Sequence, residues 1–170
     1  MSDAVPILIR SFEEADQAAC AALYVDGLLQ GKLADNDSGL DIDNIFAAYM
    51  IPDGCHFWVA VPENEPQTIV GMIGVQQDSP GVGEIRRLRV RTDYRRRGIG
   101  SRLLETAIRF CHDHQYLKIT LDTFLERDAA VRLFEKFRFR HSRTKQVHDR
   151  ELLYFYLDLY TQERADEQGR

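Results

Sequence analysis

Three arginines, Arg95, Arg96 and Arg97, run directly into Gly98, Ile99 and Gly100, with Arg91 just ahead of them. From Arg86 to Arg109 nine arginines stand against Asp93 and Glu105, with Glu84 just before the span, although the chain carries a formal net charge of -5. A local excess of cations on an acidic chain points to an anion held there. The apolar residues that follow, Ile99, Leu103, Leu104, Ala107, Ile108 and Cys111, fall on one helical face, while Arg102, Glu105 and Arg109 point away. The glycines therefore open a helix. A helix N-terminus exposes unpaired N–H groups and about half a positive charge, which suits phosphate oxygens. Glycine lets the anion approach the backbone and adopts the dihedrals of an anion nest. The helix end supplies about 0.3–1 kcal/mol and a hydrogen bond to a charged group about 1.5–3 kcal/mol, whereas micromolar binding needs about 8 kcal/mol. Several amides and at least one arginine must act together. A basic surface turn with glycines for tight packing is the bland alternative. The Walker pattern is absent and Leu103 stands where a dinucleotide fingerprint needs its third glycine, which argues against nucleotide hydrolysis and hydride transfer.

The elements around this turn belong to one domain. The 170 residues, 44% hydrophobic and 29% charged, suit a single globular unit, expected over residues 1–160, with 161–170 as a frayed tail. A strand at "VPILIRSF" precedes a helix over "EEADQAACAALYVDGLL" and a second over "LDIDNIFAAYM", stopped by Pro52. "HFWVAV" and "TIVGMIGVQ" read as paired strands, and "GEIRRLRV" as a strand that delivers the chain to the arginine turn. A strand "LKITLDTF", a helix "RDAAVRLFEKF" and strands "FRHSRT" and "LLYFYLDL" complete the order. Trp58 is expected to pack against a helix, and the aromatic last strand to fill a core or form an edge contact between two copies, a homodimer.

Cys20, Cys55 and Cys111 lack C-x-x-C spacing and read as reduced, mostly buried thiols, and "CHDH" at 111–114 reads as a helix end rather than a metal site. With no basic and apolar leader and no apolar run approaching about 20 residues, the expected location is cytoplasmic, with no membrane partner. The acidic balance argues against nucleic acid and weakly suggests cationic amines as ligands. The polar stretch "QGKLADNDSG" reads equally as a substrate-side loop or a plain surface connection.

Arg95-x-x-Gly98-x-Gly100 after "EIRRLRV" resembles the R/Q-x-x-G-x-G/A acetyl-CoA motif of the GNAT superfamily of N-acetyltransferases, and "AVRLFEKFRF" at 130–139 is similar to its later A-x-x-L-Y-E-K-x-G-F segment. The likeness covers roughly residues 5 to 159, with specific motifs confined to about 84–139. It implies an α/β fold of the α+β type: a mixed, mostly antiparallel central sheet flanked by helices and splayed near Val90. It also implies acetyl transfer from acetyl-CoA, as co-substrate and without a metal, to a primary amine of a small molecule or peptide. The coenzyme's pyrophosphate would lie against Arg95, Arg96, Arg97, Gly98, Ile99, Gly100 and Ser101, and its pantetheine arm along Leu88, Arg89 and Val90. The Val90 amide would contact the thioester oxygen, and Glu84 would take the proton an ammonium must lose before it attacks. The plain alternative for Glu84 is a solvated carboxylate paired with Arg86 or Arg87; Glu126 and Asp122 are weaker candidates for the base. Phe134, at the cofactor side, stands where many relatives have a tyrosine that protonates the thiolate, leaving Tyr154, Tyr156 or water to substitute. Arg127 replaces a common asparagine, Gln115 a common glycine, and Arg138 the glycine that ends the later helix, so that helix is expected to end differently. Two rivals remain: a noncatalytic acyl-CoA-binding or regulatory module, and a nucleic-acid-binding domain using the arginine cluster.

Overall fold

β-Branched and aromatic residues concentrate in the segments that pair. The structure, a computed structural model, describes residues 4–160. Seven strands, β1 (Ile7–Ser11), β2 (His56–Pro62), β3 (Gly71–Ser79), β4 (Val82–Val90), β5 (Lys118–Phe124), β6 (Arg140–Val147) and β7 (Arg150–Asp158), form one sheet in the order β1-β2-β3-β4-β5-β7-β6. All neighbours are antiparallel except β4 and β5. Helices α1 (Gln17–Asp26), α2 (Leu40–Asp43), α3 (Ile99–Asp113) and α4 (Asp128–Lys136) accompany the sheet. This is the mixed, mostly antiparallel architecture that the sequence implies. The tail expected at 161–170 lies outside the described residues, among which no helix is long and apolar enough to cross a membrane.

Period-two alternation sorts β2 between two cores. Trp58 and Ala60 join Ile73, Ile85 and Ile119 beneath α3, which buries Ile99, Leu103, Leu104, Ala107 and Cys111. Phe57, Val59 and Val61 join Cys20, Leu23, Tyr24 and Tyr49 on the α1 side. Trp58 meets the Phe110 ring of α3 edge-on at 5.1 Å, as expected of a strand aromatic under a helix. All three cysteines are free thiols, Cys20 and Cys111 buried.

Three expectations change. "LDIDNIFAAYM" is not one helix: α2 stops at Asn44, and a π-helical turn follows at Phe46–Met50. Gln17 of α1 intervenes, donating to Ile42 O at 2.6 Å and accepting from the Ile45 N–H at 3.0 Å, so backbone groups at the break are satisfied from outside. The aromatic last strand is not at an edge, because β7 inserts between β5 and β6 and leaves polar β6 outermost. Finally, α4 ends in the manner a glycine would allow. Arg138 takes φ 68, its N–H bonds Glu135 O at 2.9 Å, and the Phe139 N–H bonds Phe134 O at 3.0 Å. Gln115, with φ 60, ends α3 through the same pair of bonds, to His112 O and from Tyr116 to Cys111 O.

A side chain in the left-handed region costs about 1–2 kcal/mol, part of which glycine returns through a looser unfolded chain. Arg138→Gly should therefore raise the melting temperature by about 2 °C in thermal unfolding. A lowered value would show that the arginine stabilises this turn.

Candidate active site

The site is a gap in the sheet. β4 and β5 pair only from Val82 opposite Lys118 to Glu84 opposite Thr120. Beyond that point β4 carries an extra residue: Gly74 faces Arg86 and Met72 faces Arg89, two steps on β3 against three on β4. Such a bulge bends its strand and sharpens the twist. Arg87 sits in it at φ 62, and is 8% exposed.

Its guanidinium is held by two carboxylates. Nη2 donates to Asp37 Oδ1 at 2.8 Å and Nε to Asp41 Oδ2 at 2.9 Å, while Nη1 reaches the second oxygen of Asp37. The Tyr24 ring lies 4.9 Å from the guanidinium carbon, and Tyr49 donates to Asp41 at 2.5 Å. Burial opposes each charge, but the mutual hydrogen bonds outweigh it: both aspartates are held below the ordinary carboxylate range and Arg87 above that of arginine. The loop containing Lys32, Asn36 and Asp37 is thereby fixed over the gap.

Between loop and strands lies a cavity of about 360 Å³, lined among others by Lys32, Asp37, Glu84, Arg86, Arg89, Asp122, Phe124, Arg127 and Arg150. The stretch "QGKLADNDSG", read as either a substrate-side loop or a plain surface connection, contributes Lys32, Ala34, Asn36 and Asp37 to the wall of this cavity. Glu84 on β4 and Asp122 on β5 share this space. Burial raises the Glu84 carboxyl above its ordinary value, Asp122 and Asp78 push the same way, and Arg86, 3.8 Å distant, opposes. Burial likewise raises Asp122. Glu126 does not line the cavity, nor do Tyr154 and Tyr156, which pair with Asp122 and Thr120 across β5 and β7.

The arginine turn stands at the far end of β4. Val90 faces Gly71, and the Arg91 N–H bonds Val70 O at 2.8 Å. In an antiparallel ladder that arrangement turns the Val90 N–H and C=O away from β3, toward the gap, and the peptide groups of Arg89 toward β3. Arg95 Nε reaches Val90 O at 3.3 Å. Gly98 is left-handed, with φ 74, and no side chain caps α3; the helix's first backbone bond runs from the Arg102 N–H to Gly98 O. The amides of Ile99, Gly100 and Ser101 thus precede the hydrogen-bonded helix beside three exposed arginines, Arg95, Arg96 and Arg97. These are donors for an anionic group such as a diphosphate. A Cβ on Gly100 would lie 3.8 Å from Val90 Cγ2, so turn and strand end meet. Leu88 is half-buried against the α3 core, and Phe134 is buried against Phe139 and Phe155, 5.9 and 6.2 Å between ring centroids.

Glu84 faces Gln76 and Val90 faces Gly71, six steps on β4 against five on β3 because of the bulge. Sequence reasoning missed the Arg87 clamp, Asp37 and Asp41, and the cavity roles of Arg127 and Arg150. Among the described residues no group of three or more His, Cys, Asp or Glu is placed to hold a metal ion.

Known proteins share this fold. The model of the acetyltransferase (GNAT) family matches residues 12–139, and the chain belongs to that family. It is 36% identical over 101 residues to the N-acetylaspartate synthetase of Xenopus tropicalis, covering 59% of this chain and 36% of that one. The chain spans about a third to a half of the length of the curated relatives it matches. A GNAT-family acetyltransferase from Staphylococcus aureus Mu50 superposes with a TM-score of 0.78 at 22% identity, covering 91% of this chain and 99% of that one. A Salmonella typhimurium protein solved with its cofactor acetyl-CoA gives 0.74 at 20% identity, covering 90% and 94%.

Removing one partner of a buried ionic cluster costs about 3–5 kcal/mol, because the others stay buried and uncompensated. Arg87→Met should lower the denaturation midpoint accordingly, and adding Asp37→Asn with Asp41→Asn should recover part of the loss. Unchanged stability of Arg87→Met would show that the clamp is dispensable.

Proposed function

We propose that this protein transfers an acetyl group from acetyl-CoA to a primary amine of a small molecule or peptide. The observation that carries this reading is the run of donors beginning at the uncapped turn and passing Val90 into a gap that ends at two carboxylates of raised pKa. The description of a relative as a synthetase of an N-acetyl compound favours transfer over a noncatalytic acyl-CoA-binding module.

The amides of Ile99 to Ser101, with Arg95, Arg96 and Arg97, bind the diphosphate, and the outward peptide groups of Val90 align the arm beside Leu88 and Arg89. Acetyl-CoA supplies the acyl group as an activated thioester. Glu84, charged, accepts a proton from the ammonium and so exposes the lone pair that attacks. Its raised pKa brings it closer to that of an amine, which eases the transfer. Arg86 keeps the carboxylate oriented. The Val90 N–H, turned toward the gap, is the donor assigned to the thioester oxygen. Phe134 offers no proton; at a thiol pKa of about 8.5 the sulfur can leave as thiolate.

Two measurements test this. Ser101→Asp places a negative charge in the first turn of α3, where it favours the helix but repels a diphosphate. It should raise the Kd for acetyl-CoA at least tenfold in calorimetry while leaving the melting temperature unchanged or higher; undiminished affinity would place the phosphates elsewhere. Glu84→Gln should lower kcat/KM by about 10²–10⁴-fold and abolish the acid limb of its pH profile. Asp122→Asn removes a like charge from beside Glu84, so the proton leaves Glu84 more readily and the limb should move to lower pH. A Glu84→Gln variant with full thiol release would remove Glu84 from the reaction.

A further inference from the structure

The cavity holds more positive charge than the described residues balance. Arg87 is matched by Asp37 and Asp41, and Arg86 by Glu84 and by a bond to Gln76 at 2.8 Å. Arg89 is different. Its Nη1 donates to Leu88 O at 2.8 Å, but its buried Nε has no hydrogen-bond partner. Arg127 donates to Gly27 O at 2.7 Å. A Cβ on Gly27 would lie 2.8 Å from both Arg89 Cδ and Nε, so the two guanidinium groups converge at the end of α1. Neither has a carboxylate within ion-pair distance among the described residues. Burial, then Arg127 and Arg87, pull Arg89 down to about 9. Burial, then Arg95 and Arg150, also lower Arg127. A buried donor without a partner destabilises the fold, and an arginine fork with free N–H groups matches the two oxygens of a carboxylate.

We propose that the acceptor amine also carries a carboxylate, held by Arg89 and Arg127, while its amine faces Glu84. The inference rests on the acetyl-transfer reading above and names the substrate class for it. The acidic composition pointed toward cationic amines, but the cavity wall has the opposite sign: Lys32, Arg89, Arg127 and Arg150 stand there against Asp122 once the Arg86 and Arg87 partners are set aside. A polyamine would meet like charge. An amino acid would bring its anion to the two arginines that have no carboxylate partner and its ammonium to the carboxylates.

The test uses the full chain with acetyl-CoA and follows thiol release with glycine, aspartate and glutamate, their carboxamides, and polyamines. The amino acids should exceed their carboxamides at least tenfold in kcat/KM, with polyamines slower still. Arg89→Met should raise the acceptor KM at least tenfold, leave the acetyl-CoA KM within twofold, and raise the melting temperature, since an unpaired buried charge is removed. Gly27→Ala, which displaces Arg89 without altering charge, should raise the acceptor KM in the same direction. The proposal is overturned if carboxamides or polyamines match the amino acids, or if Arg89→Met raises the acetyl-CoA KM instead, which would give the arginines to the coenzyme's phosphates. If no amine releases thiol, acetyl transfer fails on its own account. Calorimetry of aspartate against the unmodified chain and Arg89→Met then decides the carboxylate site: binding lost in the variant supports it, and no binding to either sinks it.

Discussion

One buried cation shapes the working part of this protein. Arg87 occupies the extra position of the β4 bulge in a left-handed conformation that a side chain adopts at a cost, and its charge is largely removed from water. Asp37, from the connection after α1, and Asp41, from α2, offset that cost together. The clamp therefore does two things at once. It holds the bulge that separates β4 from β5, and it fixes the loop that covers the resulting gap. Gly74 assists from β3: a Cβ there would lie 2.6 Å from the Tyr49 ring, and Tyr49 is what steadies Asp41.

The same geometry explains the charges around the gap. Where a strand pair splits, side chains that would have met a neighbour line a partly dry space, and the cost of ionising them rises. Glu84 and Asp122 shift upward there and Arg89 and Arg127 downward, all four with burial as the leading cause. Burial also opposes the charges of Asp37, Asp41 and Arg87, but these shift the other way, because each has its partner. The contrast separates groups that hold the site together from groups that stand ready for a ligand.

The sequence showed the parts that depend on local rules. A 3.6-residue apolar repeat marked α3, and glycines beside arginines marked its N-terminus, because both signals lie within one short stretch. The gap was not legible. In "EIRRLRV" the three arginines look alike, yet Arg86 lies beside Glu84, Arg87 is buried in a clamp and Arg89 has a buried Nε without a hydrogen-bond partner. Their fates diverge because of a bulge, which leaves no mark in a run whose period is two, and because of carboxylates about 50 positions away. The position of β7 was hidden for a related reason: aromatic alternation shows that a strand is packed, not which strands lie beside it.

Phe134 and Arg138 are best understood together. The end of α4 has the bond pattern of a glycine-terminated helix, but with arginine in the left-handed position. In such a motif the residue after the left-handed one packs against the residue five positions earlier, and here those are Phe139 and Phe134, both 4% exposed with ring centroids 5.9 Å apart. The apolar contact compensates for the strain at Arg138, and a phenol in place of Phe134 would have to bury its hydroxyl in that contact or find a partner for it. Tyr116 plays the corresponding part after Gln115, 7% exposed with its hydroxyl donated to Gly54 O at 2.5 Å. A proton donor at position 134 and an arginine at 138 make opposing demands on one small apolar cluster, and this chain has resolved them in favour of packing.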